Sequence, residues 1–219
     1  MKGVHVPPDN ERSDTLILGF GGNAWNGQDV AEYLHELYPD EHVVAFHYRG
    51  YPPSEGSPSG EALVADAPVV HDAAVAKLKP AKVVAVGFSI GSVVAAQLAA
   101  QRKLDGLVLV TPFDSLKALA KDMFPWLPIG PFFNHEIDGA AALKDRSIPA
   151  AIIAAGRDEI VPAERTQALR TVVRQLVFDR TVETAGHNDI YVRSDFQDAM
   201  REALQAILVA GSNASVRRY

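Results

Sequence analysis

The chain alternates between short apolar runs and longer stretches in which apolar residues recur at helical spacing. The apolar runs lack the strict alternation of a half-exposed strand, which predicts strands that are covered on both faces. The predicted strands are 15–20, 42–48, 81–88, 106–111, 149–156 and 175–182. The predicted helices lie near 27–38, 60–78, 90–102, 163–174 and 195–210.

This alternation of strands and helices predicts the fold class. Parallel strands need a crossover connection, so we expect an α/β protein with a mostly parallel sheet and helices on both faces. The 219 residues are enough for a full core, and we expect one domain, 1–219. Residues 115–146 break the rhythm with an aromatic, proline-containing stretch, which we interpret as a small cap inserted over the sheet.

The composition narrows the classes of function and partner. The net charge is −6 and no basic stripe accumulates, so we expect no nucleic-acid partner. Cysteine is absent, which excludes disulfides, thiolate metal ligands and a cysteine nucleophile. The histidines are scattered without ligand spacing, and we expect neither a metal nor a cofactor. The first residues lack the apolar run of a secretory signal, so we expect a cytoplasmic protein.

The most apolar stretch is "VVAVGFSIGSVVAAQLAA", residues 83–100. It is about long enough to cross a bilayer by the usual ~20-residue rule. Its first half is rich in valine, its second half is rich in alanine, and small or polar residues interrupt it. We therefore predict a strand followed by a helix, and no membrane span.

A serine lies where this strand and helix meet, in the G-x-S-x-G pattern of residues 87–91. A serine on a sharp strand-to-helix turn needs small neighbours, and the turn presents its hydroxyl at the carboxyl end of the sheet. Ser89 is therefore a candidate nucleophile. The alternative is an ordinary turn in which Ser89 caps the helix.

A nucleophilic serine needs a base, and the base needs an orienting acid. His135 and His187 follow Ser89 in the chain, and His135 falls in the predicted cap. His187 lies in a loop between the last strand and the last helix, which makes it the candidate base.

The acid is expected after a strand that lies between the serine and the histidine. Asp158 follows the predicted strand 149–156 and is the candidate. Glu159 and Asp114 are its rivals. A structural alternative is that Asp158 only caps the following helix.

Backbone N–H donors for a developing oxyanion are also identifiable. The residue after the nucleophile, Ile90, supplies one, and a loop after an early strand supplies the other. That loop is "GFGGNAWNG", residues 19–27, and Asn23 is our candidate within it. A glycine-rich phosphate cradle is the competing interpretation, but the Lys-Ser/Thr pair and the G-x-G-x-x-G spacing are missing.

These motifs together resemble the alpha/beta-hydrolase superfamily, most of all its small, minimally capped serine hydrolases. The resemblance covers roughly residues 15–210 and rests on "GFGGNAW", "HYRGYPPSEGSPS", "GFSIGS", "TPFDSL", "GRDEIVP" and "AGHNDI". It implies that Ser89, Asp158 and His187 form a catalytic triad, with Asn23 and Ile90 as the oxyanion hole.

Two departures from the family pattern stand out. Position 21 is Gly where the family usually has His, so an interaction that stiffens this loop is missing from the pattern. The N-terminal segment is short for the two strands that normally open the sheet. In the segment after the strand 42–48, Arg49 or Tyr51 either positions the oxyanion loop or only packs against it.

The leading interpretation is a serine hydrolase that cleaves a small-molecule carboxylic ester or thioester through an acyl-enzyme on Ser89. A peptidase or amidase with the same triad is one alternative, and a non-catalytic binding protein that keeps the fold is another. Within the predicted cap, Trp126 and Phe132 are the candidate substrate-binding residues. The aromatic side chains of the cap could instead only seal the core.

Overall fold

The computed structural model describes residues 1–10, 13–126 and 136–216. Seven strands form one sheet: β1 Gly3–Val6, β2 Thr15–Phe20, β3 His42–Phe46, β4 Lys82–Phe88, β5 Gly106–Val110, β6 Ala150–Ala155 and β7 Leu176–Val182. Their order across the sheet is β1-β3-β2-β4-β5-β6-β7. Strand β1 runs antiparallel to β3, and the other pairs are parallel. The predicted α/β class is confirmed.

Within the described residues, seven α-helices connect or flank these strands. They are α1 Gly27–Leu37, α2 Gly60–Leu78, α3 Ile90–Gln101, α4 Leu116–Met123, α5 Gly139–Leu143, α6 Ala163–Val172 and α7 Ser194–Val216, and a 3₁₀ turn spans Ile190–Val192. The predicted helices are all present. The short helices α4 and α5 lie within residues 115–146, the predicted cap, of which 127–135 fall outside the described residues.

Helices cover both faces of the sheet, which explains why the apolar runs do not alternate. On one face, Ile17 of β2 belongs to a core cluster with residues of α1 and α7. On the other face, Leu16 and Leu18 pack in a second cluster with residues of α2, α3, α5 and α6. Every residue of β2, β4 after its first residue, and β5 is buried. Burial on both faces selects apolar side chains at successive positions.

The stretch 83–100 divides into β4 and α3, as predicted. Ser89 lies between them, and its backbone breaks the run sharply. Among the described helices, none has the length and apolar character that a bilayer crossing requires.

Strand β1 was not predicted from the sequence. Its four residues, "GVHV", contain a glycine and a histidine, and all of them are at least partly exposed. A short edge strand of this kind carries too little apolar signal to be distinguished from a loop. The short N-terminal segment therefore contributes one strand beside β3.

Two glycines let the turn that carries Ser89 approach its neighbours closely. A Cβ on Gly91 would lie 2.6 Å from the carbonyl oxygen of Gly21 and closer still to that of Phe20. A Cβ on Gly87 would lie 2.5 Å from the Cα of Ser92. No side chain fits at either position, so the end of β2 and the start of α3 meet backbone to backbone.

We expect Gly91→Ala to lower the free energy of unfolding by about 1–3 kcal/mol or more, because the added methyl group overlaps two backbone carbonyls. Gly211→Ala is the matched control, since Gly211 also lies in a helix and a Cβ there meets nothing within 4 Å. That control should be neutral or gain up to about 1 kcal/mol from helix propensity. Urea unfolding of both variants measures the difference, and equal stabilities would contradict the close approach.

Candidate active site

Ser89 occupies a strained backbone conformation at the end of β4. Its φ is 52° and its ψ is −118°. The Ser89 N–H donates to the carbonyl oxygen of Val110 at 2.9 Å, which ties the turn to the neighbouring strand β5. The Ser89 side chain makes no capping hydrogen bond to α3, so the ordinary-turn alternative does not describe its contacts. The strain is of the kind that is kept where a side chain must be aimed.

The Ser89 hydroxyl is one end of a series of three hydrogen-bonded side chains, which continues through His187 to Asp158. Its Oγ lies 3.1 Å from Nε2 of His187. The other ring nitrogen, Nδ1, lies 2.8 Å and 3.0 Å from the two carboxylate oxygens of Asp158. The side chains of His187 and Asp158 are 6% and 8% exposed, so water competes little for these contacts. In this arrangement an imidazole can accept the serine proton while the carboxylate fixes the ring tautomer.

The loop after β6 holds the Asp158 carboxylate in place. Its Oδ1 accepts the N–H groups of Ile160 at 3.0 Å and Val161 at 2.7 Å. These donors complement a carboxylate charge and restrict its rotation. Asp158 therefore bonds the loop backbone and His187 at once. Helix α6 begins after Pro162 without a side-chain cap, so the alternative in which Asp158 only caps this helix does not describe its contacts.

The rival acids have other partners. The Glu159 carboxylate accepts a hydrogen bond from the backbone N–H of His187 at 3.1 Å, which fixes the backbone of the loop that carries His187. Asp114 pairs with Arg165 at 3.2 Å, and burial raises the pKa of its carboxyl group. The rival base, His135, lies outside the described residues.

The loop after β2 lies against the nucleophile turn. A Cβ on Gly22 would lie 3.6 Å from the Cβ of Ser89, and Asn23 borders the same cavity as Ser89. Ile90 is the first residue of α3, and N–H groups of a first helical turn have no partner within the helix. Asn23 therefore shares a cavity with Ser89, and Ile90 follows Ser89 directly at the start of α3; their role as oxyanion donors stays a prediction.

Two tyrosines brace this loop in place of the interaction that position 21 lacks. The Tyr48 hydroxyl donates to the carbonyl oxygen of Gly21 at 2.8 Å. The Tyr51 hydroxyl donates to Oδ1 of Asn23 at 3.2 Å. Arg49 points elsewhere and forms a two-point ion pair with Asp66 of α2, its Nε lying 3.1 Å from Oδ2. Of the two candidates from the sequence, Tyr51 contacts the loop.

A cavity of about 310 Å³ opens beside Ser89 and His187. Its remaining walls come from Gly22, Asn23, Trp25, Met123, Ile160, Asn188 and Tyr191. They belong to the loops after β2, β6 and β7 and to the end of α4. The cavity thus lies over the carboxyl end of the sheet, where the chemical groups converge.

An aromatic cluster behind the cavity was missed by the sequence analysis. The ring of Trp25 lies 5.1 Å from that of Phe88, 4.9 Å from Tyr191 and 5.6 Å from Tyr33, measured between centroids. These residues belong to the loop after β2, the end of β4, the 3₁₀ turn and α1. No local pattern in the sequence announces contacts between residues so far apart in the chain.

Of the two candidate substrate-binding residues in the predicted cap, Trp126 is not among the residues that line this cavity. Trp126 is 73% exposed, and its ring packs edge-on against Phe124 at 5.8 Å. Phe132 lies outside the described residues. Met123, one turn before Trp126, is the α4 residue that reaches the cavity. Among the described residues, no group of three or more His, Asp or Glu could hold a metal ion.

Comparison with known proteins establishes the family. A sequence model described as the alpha/beta hydrolase fold matches residues 16–134, more than half of the chain. An uncharacterised protein of Mycobacterium tuberculosis is 31% identical over 216 residues, which cover 95% of this chain and 76% of that protein. The chain therefore belongs to the alpha/beta-hydrolase family, as its motifs predicted.

Two named proteins are similar at greater distance. A lysophosphatidylserine lipase of Danio rerio is 28% identical over 188 residues, covering 75% of this chain and 49% of the lipase. The structure of an esterase from Pyrococcus furiosus matches with a TM-score of 0.71 at 19% identity, covering 94% of this chain and 90% of the esterase. The second match is a likeness of fold.

The site also gives a prediction about stability. Burial, and to a lesser degree the nearby Asp158 carboxylate, raises the pKa of Tyr191 to about 12. The phenol titrates near pH 10 in an unfolded chain, so its contribution is fully present below about pH 10 and is lost as the pH rises toward about 12. Tyr191→Phe should therefore flatten the decline of unfolding free energy in that window by about 1.4 kcal/mol per pH unit. Urea unfolding of both proteins across the window tests this, and parallel declines would contradict it.

Proposed function

We propose that the protein is a serine hydrolase that cleaves a small-molecule carboxylic ester or thioester through an acyl-enzyme on Ser89. The observation that supports this most is the chain of contacts from Asp158 through His187 to the Ser89 hydroxyl, at the edge of a cavity. A buried, doubly hydrogen-bonded imidazole next to a strained serine is what nucleophilic catalysis requires.

In the first half of the reaction, Ser89 Oγ attacks the carbonyl carbon while His187 Nε2 takes the hydroxyl proton. The carbonyl oxygen becomes an oxyanion, and in this proposal the N–H groups of Ile90 and Asn23 donate to it. The tetrahedral intermediate collapses when the bond to the leaving oxygen or sulfur breaks. His187 gives its proton to that atom, and an acyl ester on Ser89 remains.

In the second half, water replaces the leaving group. His187 takes a proton from the water as it attacks the acyl carbon, and the same oxyanion donors act again. Collapse returns the proton to Ser89 Oγ and releases the carboxylic acid. Asp158 holds the imidazole and stabilises its charged form in both halves.

An ester or thioester fits better than an amide. The relatives with a named activity are a lysophosphatidylserine lipase and an esterase, and both names describe ester cleavage. A peptidase or amidase would use the same residues, and no observed feature of the cavity favours it. A non-catalytic binding protein would not need the contacts between Ser89, His187 and Asp158. The cytoplasmic location remains a prediction.

Replacement of the nucleophile tests the proposal directly. Ser89→Ala should abolish ester hydrolysis and labelling by a fluorophosphonate, since the attacking oxygen is gone, while the fold is retained. Ser57→Ala is the control, because Ser57 is exposed and lies outside the cavity. Intact-mass analysis after labelling gives the readout. Labelling of the Ser89→Ala protein at the parent rate would place the nucleophile elsewhere.

A matched pair of variants tests the acid. Asp158→Asn should lower kcat by about 10³–10⁴-fold with little change in KM, because the wrong imidazole tautomer is stabilised. Glu159→Gln should cost far less, since its amide oxygen can still accept the His187 N–H. A near-normal kcat for Asp158→Asn with a loss in Glu159→Gln would reverse the assignment.

A further inference from the structure

A second, smaller cavity lies on the other side of the loop after β2. Its volume is about 190 Å³. Gly22 and Asn23 border both cavities, so this loop is the wall between them. The other residues that line the smaller cavity are Tyr48, Tyr51, Pro58, Ser59, Gly60, Leu63, Ile90 and Leu116.

The candidate oxyanion donors fix where a substrate carbonyl must lie. Ile90 borders the smaller cavity and Ser89 borders the larger, while Asn23 borders both. A carbonyl group that Ser89 attacks, and whose oxygen faces the N–H groups of Ile90 and Asn23, therefore lies beside the loop that both cavities share. The two substituents on its carbon diverge, so one can extend toward each cavity.

The histidine decides which substituent goes where. His187 Nε2 has to deliver a proton to the departing oxygen or sulfur, so the leaving group must lie on the His187 side. His187 borders the larger cavity, together with Asn188 and Tyr191. The acyl chain then extends into the smaller cavity.

The lining of the smaller cavity suits an apolar chain. Leu63, Leu116 and Ile90 contribute aliphatic side chains, and among the described lining residues none is Asp, Glu, Lys or Arg. The hydroxyl groups of its two tyrosines are engaged by the oxyanion loop. An ionised or strongly polar acyl group would lose its hydration there without gaining a partner.

Resting on the proposed function, we propose that the smaller cavity is the acyl site and the larger cavity the leaving-group site. The substrates are then esters or thioesters of a short, uncharged aliphatic acid. The acyl cavity, at about 190 Å³, is the smaller of the two, so we expect kcat/KM to pass through an optimum at a short acyl chain.

Helix α4 offers a matched pair of variants for the test. Leu116, its first residue, borders the acyl cavity, and Met123, its last, borders the leaving-group cavity. Leu116 is only partly buried, so a larger side chain can be placed there without disrupting the core. We would make Leu116→Phe, Leu116→Ala and Met123→Ala and measure kcat/KM on two ester series. One series varies the acyl chain from acetyl to decanoyl on one alcohol, and the other varies the alcohol on one acyl group.

For the parent enzyme, kcat/KM should rise about three- to four-fold per methylene until the acyl cavity is full. Leu116→Phe should shorten the optimal acyl chain and Leu116→Ala should lengthen it, both leaving the alcohol preference unchanged. Met123→Ala should change the alcohol preference and leave the acyl optimum in place. The assignment would be overturned if the optimal acyl chain length changes in Met123→Ala, or if it is unchanged in both Leu116 variants.

A binding measurement separates this proposal from the proposed function. Straight-chain carboxylic acids, the expected products, are titrated calorimetrically into Ser89→Ala protein with and without the Leu116 changes. One outcome is that the preferred chain length of the bound acid changes with the Leu116 substitutions while the parent protein hydrolyses no ester. That outcome would support the acyl site and reject the proposed hydrolase activity. If the parent protein hydrolyses esters but acid binding is the same with and without the Leu116 substitutions, the hydrolase activity is supported and the acyl site is rejected.

Discussion

The site depends on one close approach, between the carbonyl groups at the end of β2 and the first turn of α3. Gly91 makes it possible, because any side chain there would overlap the carbonyl oxygens of Phe20 and Gly21. The parallel pairing of β2 with β4 brings Phe20 level with Gly87 and sets up the meeting. The loop after β2 therefore begins in contact with the turn that carries Ser89. This contact brings Asn23 and Ile90, the candidate oxyanion donors, into the same region as Ser89.

The aromatic cluster connects the loop that carries His187 to the loop after β2 and to the turn that carries Ser89. Trp25 lies in the loop after β2, Phe88 directly precedes Ser89, and Tyr191 lies four residues after His187. Because these rings pack on one another, displacement of one loop disturbs the other two. The Tyr33 hydroxyl adds a 2.7 Å hydrogen bond to the Tyr191 carbonyl oxygen, fastening the cluster to α1. Rings beneath the loops thus supply the rigidity that hydrogen-bond catalysis demands.

The parts that local physics determines were predictable from the sequence. Strands buried on both faces are apolar throughout, and a serine between two small residues marks the turn, so Ser89 and the central sheet could be located. Long-range contacts have no such signature in the local sequence. The hydrogen bond from the Tyr48 hydroxyl to the Gly21 carbonyl oxygen and the packing of Trp25 on Tyr191 depend on tertiary structure. The role predicted for Trp126 rests on its place in an apolar, aromatic segment and stays a prediction; its side chain is 73% exposed, and it is not among the residues that line the cavity beside Ser89.

Chemistry and specificity are carried by different parts of this chain. The residues that would act on the carbonyl sit on turns fixed by the sheet, where a small shift would cost activity. The two cavities are bordered by opposite ends of α4, Leu116 and Met123, which lie about two helical turns, or roughly 10 Å, apart. Leu116 and Met123 can therefore change independently of each other and of Ser89. An acyl group and a leaving group could then be selected separately, by substitutions that leave the nucleophile turn and its close approach to β2 intact.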